Sequence, residues 1–178
     1  RYTEAAELVS SLEGDDKLPE ELGGELAIVA ADLYLKQARY EEAIQYLNIG
    51  IKKIKGNKRK TRYTFVLAQL YREIGQNEKS LADFQQVIRR RPNYEMQFNA
   101  RIMSAQVLSG SENSAMLRKE LNKMRRNKRN QPYLDQIYYA LGNIFFSEGK
   151  VNQAIDQYRL SVTNAVRNTH QRALSSIT

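Results

Sequence analysis

The chain has 178 residues, 42% apolar and 27% charged, a balance that excludes a disordered polymer. It contains no cysteine, which excludes disulfides, thiolate catalysis and thiolate zinc sites. The net charge of +8 is unevenly placed: residues 1–50 hold 11 acids against 4 bases, net −7, and the remainder holds 9 acids against 24 bases, net +15.

The opening stretch, RYTEAAELVSSLEG, has neither an initiator Met nor the apolar core of a signal peptide. The chain therefore reads as a piece of a longer protein whose targeting signal, if any, lies upstream. Residues 1–12 have the apolar spacing of a helix, and residues 13–23 form a linker. No apolar run approaches the ~20 residues of a membrane-spanning helix. From residue 24 onward the chain repeats itself. Tyr34, Tyr71, Leu108 and Phe145 are spaced by 37, as are Ala31, Ala68, Ala105 and Gly142. The same step links Ala43, Ser80, Leu117 and Ala154, then Leu47, Phe84, Leu121 and Tyr158. Internal repetition at this period indicates stacked supersecondary units. The spacing predicts four of them, at 24–60, 61–97, 98–134 and 135–171, and 172–178 opens another.

Each unit reads as two helices. The first places a bulky residue one turn beyond a small one, as in VLAQLY and YALGNIFF. A break follows at QAR, IGQ, GSE or EGK. The second helix carries a small residue and then Leu, Phe or Tyr four later, as in YEEAIQYL, EKSLADF and VNQAIDQY. These residues resemble the tetratricopeptide repeat (TPR), and LAQLYREIGQNEKSLADFQQVIRRRP carries Pro92 where that family places it. The third copy departs from the pattern, with Leu117 at a small-residue position. The resemblance implies an all-α fold, an α-α superhelix or TPR-like solenoid of about ten antiparallel helices, in which 1–23 supplies the second helix of a preceding repeat and a linker. One such unit cannot bury its apolar face alone, so stacking must supply the core.

Cations recur with the repeat. Lys52, Lys53, Lys58, Arg59 and Lys60 crowd the end of the first unit, Arg90 and Arg91 take the same phase of the second, and Arg125 and Arg126 that of the third. They are expected to line one edge. The plainer reading is a solvated edge whose cations complement helix C-termini. The other readings are recruitment of an acidic protein or lipid headgroup, and nucleic-acid binding. The runs lack the aromatics that single-strand binders interleave with their cations.

The TPR likeness implies that the first helix of each pair lines a concave face. There the residue after each small position points away from the core: Asp32, Gln69, Gln106 and Asn143, three of them amides able to pair with a peptide backbone. Arg62, Phe65, Arg72, Asn99, Tyr139 and Phe146 project nearby. Together they are expected to form an apolar-walled groove with a polar floor, suited to a peptide or partner protein. The plainer alternative is that the apolar flanks only widen helix contacts. Arg101, which interrupts an apolar stripe, is expected to bury its stem and send its head to solvent or a carboxylate.

Catalytic chemistry is not indicated. His170 is the only histidine and has no second ligand nearby, and ELGGEL lacks the ending of a phosphate-binding loop. No enzyme, cofactor, metal or small-molecule substrate is expected. The leading function is a protein-binding scaffold, and the alternative is a nucleic-acid-associated helical array using the basic edge. Beyond the repeat, ELAIVAADLYLKQARYEEAIQYLNIGI, KTRYTFVLAQLY, NYEMQFNARI and YLDQIYYALGNI resemble the PorW and SprE lipoproteins of Bacteroidota type IX secretion and gliding motility. That likeness implies a scaffold at the periplasmic face of the outer membrane, held by a lipid anchor upstream of this sequence.

Overall fold

Helix is the only regular structure these residues can sustain. Their apolar positions recur at three- and four-residue intervals, and both prolines among the described residues beyond the first linker, Pro92 and Pro132, fall outside the α-helices. The computed structural model describes residues 2–13, 19, 22–108 and 114–165. Among these lie nine α-helices and no strand: α1 Tyr2–Glu13, α2 Gly23–Lys36, α3 Tyr40–Lys53, α4 Asn57–Glu73, α5 Asn77–Arg89, α6 Tyr94–Val107, α7 Ser114–Arg126, α8 Leu134–Ser147 and α9 Val151–Asn164. A 3-10 helix, Lys128–Tyr133, precedes α8 and contains Pro132. The expected tenth helix, beginning at 172, lies outside the described residues, as does His170.

The chain packs as two compact units, Arg1–Ala100 and Arg101–Thr178. In the first, α2 pairs with α3 and α4 with α5, while α3 also packs on α4 and α1 on α2. In the second, α8 pairs with α9 and α7 packs on α8. The architecture is an all-α helical repeat of antiparallel hairpins.

The turns of the α2–α3, α4–α5 and α8–α9 pairs share one solution. The amide N–H of Arg39 donates to Tyr34 O, that of Gln76 to Tyr71 O and that of Lys150 to Phe145 O, at 2.7–2.9 Å. These are six-to-one closures of a helix C-terminus, and they need a left-handed residue one position earlier. That residue is Ala38 (φ 57°), Gly75 (φ 75°) or Gly149 (φ 72°), again at multiples of 37. Ala38 adopts the conformation without glycine's freedom and bears its steric cost.

The small positions bring the paired helices together. Ala31, Ala43, Ala68, Ser80, Ala105 and Ala154 are all buried. Ser80 Oγ donates to Ala68 O across the α4–α5 hairpin (2.7 Å), and Ser161 Oγ donates to Asp135 O across α8–α9 (2.7 Å). Around these contacts Leu47, Ile54, Leu67, Leu70 and Tyr71 form the core of the first unit. Leu121, Ile137, Leu141, Ile144 and Tyr158 are buried in the second. Leu117, too large for the small position it occupies, is buried as well.

Candidate interaction surface

In the α2–α3, α4–α5 and α8–α9 pairs the first helix buries one side on its partner, so its opposite side is where a ligand could dock. In the first unit this side carries Val29, 57% exposed, with Asp32 and Arg62 also exposed. Phe65, Gln69, Arg72 and Asn99 are half-buried. Asp32 pairs with Lys36 one turn on (2.8 Å), and Arg72 with Glu73 (2.9 Å). Phe65 meets Phe84 edge-on, ring centroids 5.7 Å apart, so it is an inward wall rather than a free ring. In the second unit Phe146 stands 58% exposed, while Gln106, Tyr139 and Asn143 are half-buried. Tyr158 Oη donates to Asn143 Oδ1 (2.9 Å), and its ring lies 5.7 Å from that of Tyr139. One acceptor of the amide column is thus already used within its own hairpin.

The basic positions divide differently from the sequence expectation. Lys52 and Lys53 do end a helix, but α4 begins at Asn57, so Lys58, Arg59 and Lys60 occupy the first turn of the next one. Cations complement the negative end of a helix dipole and oppose the positive end. The dipole argument for this run therefore holds for only part of it. Arg59 is the exception with local compensation, gripping Glu25 of α2 through both nitrogens at 2.6 and 2.5 Å. That pairing draws the Glu25 carboxyl below its ordinary pKa and raises the guanidinium. Arg90 is exposed and donates to Thr64 Oγ1 (3.2 Å); Arg91 is exposed with φ 49°. In the second unit Arg126 is exposed and Arg125 lies over the Tyr138 ring, 5.8 Å from its centroid. Arg101 reaches Glu120 at 2.6 Å, so of the two expected destinations, solvent or a carboxylate, its head takes the second.

Two acids escaped the sequence reading because nothing in their spacing marks them. Asp135, 2% exposed at the start of α8, leaves Oδ2 without a hydrogen bond, and burial raises its pKa. Asp83, half-buried on α5, has a pKa raised from 3.8 to about 6 by desolvation, against the pull of Arg90. Its folded value exceeds its unfolded one, so the charged carboxylate penalises the fold. The penalty is full above about pH 6, shrinks as pH falls through that value, and vanishes below 3.8. Asp83→Asn is expected to stabilise the protein at pH 7.5 by about 1 kcal/mol, solvent screening having cut the larger figure a two-unit shift implies. Thermal melts at pH 7.5 and pH 4.5 check this: the gain should shrink to roughly a third at the lower pH, where the unfolded carboxyl is still largely ionised.

Among the described residues no group of three or more His, Asp or Glu could hold a metal, and no helix is long and apolar enough to cross a membrane. A profile of the tetratricopeptide repeat matches residues 25–50, 62–94 and 135–165. The fold is shared with MamA (residues 41 to its end) from Desulfovibrio magneticus RS-1, at 16% identity and TM-score 0.63, over 87% of this chain and 84% of that one. It is shared with YrrB, described as a TPR protein with an unusual peptide-binding site, at 13% identity and TM-score 0.68, over 98% and 84%. A third likeness is the C-terminal part of a TPR repeat-containing protein from Cytophaga hutchinsonii, at 16% identity and TM-score 0.66, over 98% and 65%. No curated protein sequence matches, and none of these likenesses singles out PorW or SprE.

Proposed function

Because the chain belongs to the tetratricopeptide repeat family, we propose that it is a non-catalytic scaffold binding a peptide or partner protein along the outward side of the first helix in each pair. The observation that carries this reading is the pair of large apolar side chains left exposed on that side, Val29 and Phe146. Each stands beside a residue of the polar column, Asp32 in one unit and Asn143 in the other. An apolar anchor beside amide and carboxylate groups suits an extended peptide, whose backbone needs both donors and acceptors. YrrB, which shares the fold, is a peptide binder by its description.

Selection of peptides from a random library on the immobilised protein tests it. A selected peptide is expected to lose at least about fivefold in affinity on Phe146→Ala, the ~1 kcal/mol an aromatic anchor contributes. Gln106→Ala, in the same unit, is expected to weaken it further while helicity and melting stay nearly unchanged, and a peptide held by the first unit should respond in the same way to Gln69→Ala. Peptides indifferent to all three substitutions would place binding elsewhere. The setting we propose is the type IX secretion and gliding assembly, supported by the sequence likeness to PorW and SprE. A pull-down from the cell envelope that returns no component of that assembly removes the setting and leaves the scaffold.

A further inference from the structure

We propose that one end of the first unit, where α3 stops, α4 starts and α5 stops, is a docking face for an anionic lipid bilayer. Charge is concentrated there beyond what the fold needs. Residues 52–60 hold six cations and no acid, and residues 89–91 are three arginines, against three acids in residues 20–25, the stretch that contains Leu22. The two runs meet in space: Arg90 donates to Thr64 Oγ1, which itself donates to Lys60 O at 2.7 Å. The opposite end of the same helices is balanced, with two cations and two acids in residues 36–42 and again in residues 72–79. Helix dipoles cannot account for the difference. α4 begins without a side-chain cap and without an acid in its first turn, yet places Lys58, Arg59 and Lys60 there, against its own positive pole, and of the three Arg59 is already met by Glu25 of α2. An external anion would offset that arrangement.

The anion's form follows from what surrounds the charge. The cations sit at three helix ends and not along one helix. Residues 52–62 contain no aromatic on which a base could stack. Two aliphatic side chains are exposed beside them instead, Leu22 at 48% and Ile49 at 45%. Leu22 precedes Gly23, against which the Lys53 ammonium lies (3.4 Å to a Cβ built there), and Ile49 stands one turn before Lys53 on α3. Aliphatic groups beside lysines can enter the headgroup layer while the ammoniums hold phosphates.

Sedimentation of the full chain with vesicles of phosphatidylcholine containing about one third phosphatidylglycerol tests this. Binding is expected at about 20 mM salt and none to pure phosphatidylcholine, with Lys58→Glu plus Lys60→Glu lowering the partition coefficient at least tenfold. Those changes put acids at a helix start, so the fold survives, and circular dichroism verifies it. Leu22→Ser plus Ile49→Ser should spare low-salt binding and lose severalfold near 150 mM, where screening leaves more to the aliphatic contacts. Lys79→Glu, at the balanced end, should change binding less than twofold. Failure to sediment with the anionic vesicles at low salt overturns the proposal. So does tighter binding to a labelled duplex or single strand together with indifference to the Leu22 and Ile49 changes, which would make the face a nucleic-acid site.

Discussion

Phe84→Ala is expected to lower the unfolding free energy by about 3–5 kcal/mol, among the largest losses any single truncation here can cause. Phe84 is 0% exposed, the largest fully buried side chain among the described residues, and it meets Phe65 edge-on from the facing helix of its hairpin. Removing the ring forfeits its transfer energy and leaves a cavity that the Ala68–Ser80 contact beside it cannot close, because Ser80 Oγ is held to Ala68 O. The repeat supplies the control. Leu47 and Leu121 occupy the same position in other copies and are buried there. Phe84→Leu should therefore cost less than about 1.5 kcal/mol, as volume-near apolar exchanges do. Urea unfolding followed by far-ultraviolet circular dichroism measures both. Hydrogen exchange should locate the loss of protection in α4 and α5, since stacked hairpins depend chiefly on their nearest neighbours.

Much of the fold was legible because a helical hairpin leaves its mark at fixed intervals. Small residues must sit where helices touch, and bulky ones where neighbours interlock, so the step of 37 from Ala31 or Leu47 reported both helices and their pairing. The left-handed turn position was half visible: Gly75 and Gly149 announce it, whereas Ala38 performs the same turn with an unremarked residue. The 3-10 helix was not legible. Its anchor is Asn130, buried with Nδ2 donating to Met124 O, and a polar residue beside lysines and arginines gives no sign of burial. The start of α4 was missed for a related reason. Its cap position is Gly56, with no side chain to bond the first amides, so the charge run crosses a helix boundary unmarked. At the candidate surface, spacing could place Asn143 in the polar column. It could not show that a hydroxyl two helical turns into the next helix, present only where Leu or Phe gives way to Tyr158, would take up that amide's oxygen.

The same Tyr158 is the basis of the second large expected effect. In the first and third copies the pairing across the hairpin is Ala with Leu, in the second Ala with Phe, and in the fourth Gly142 with Tyr158. A Cβ at Gly142 would lie 2.4 Å from Tyr158 Cε1 and 2.6 Å from Cδ1. The ring has little room to yield, being tied to Asn143 through its hydroxyl and packed against Tyr139. Gly142→Ala gains helix propensity of about 1 kcal/mol, but overpacking costs ~1–3, so a net loss of up to about 2 kcal/mol is expected. Tyr158→Leu alone leaves space over the glycine and should also destabilise. Combining them recreates the Ala and Leu that the chain carries at the equivalent positions of other copies, Ala31 with Leu47 and Ala105 with Leu121. The double variant should then be more stable than the sum of the single losses predicts, by 1 kcal/mol or more, the scale of coupling between residues in contact. Strict additivity in a denaturation cycle would falsify the view that glycine is here a consequence of the tyrosine, and would make Gly142 an independent feature of α8.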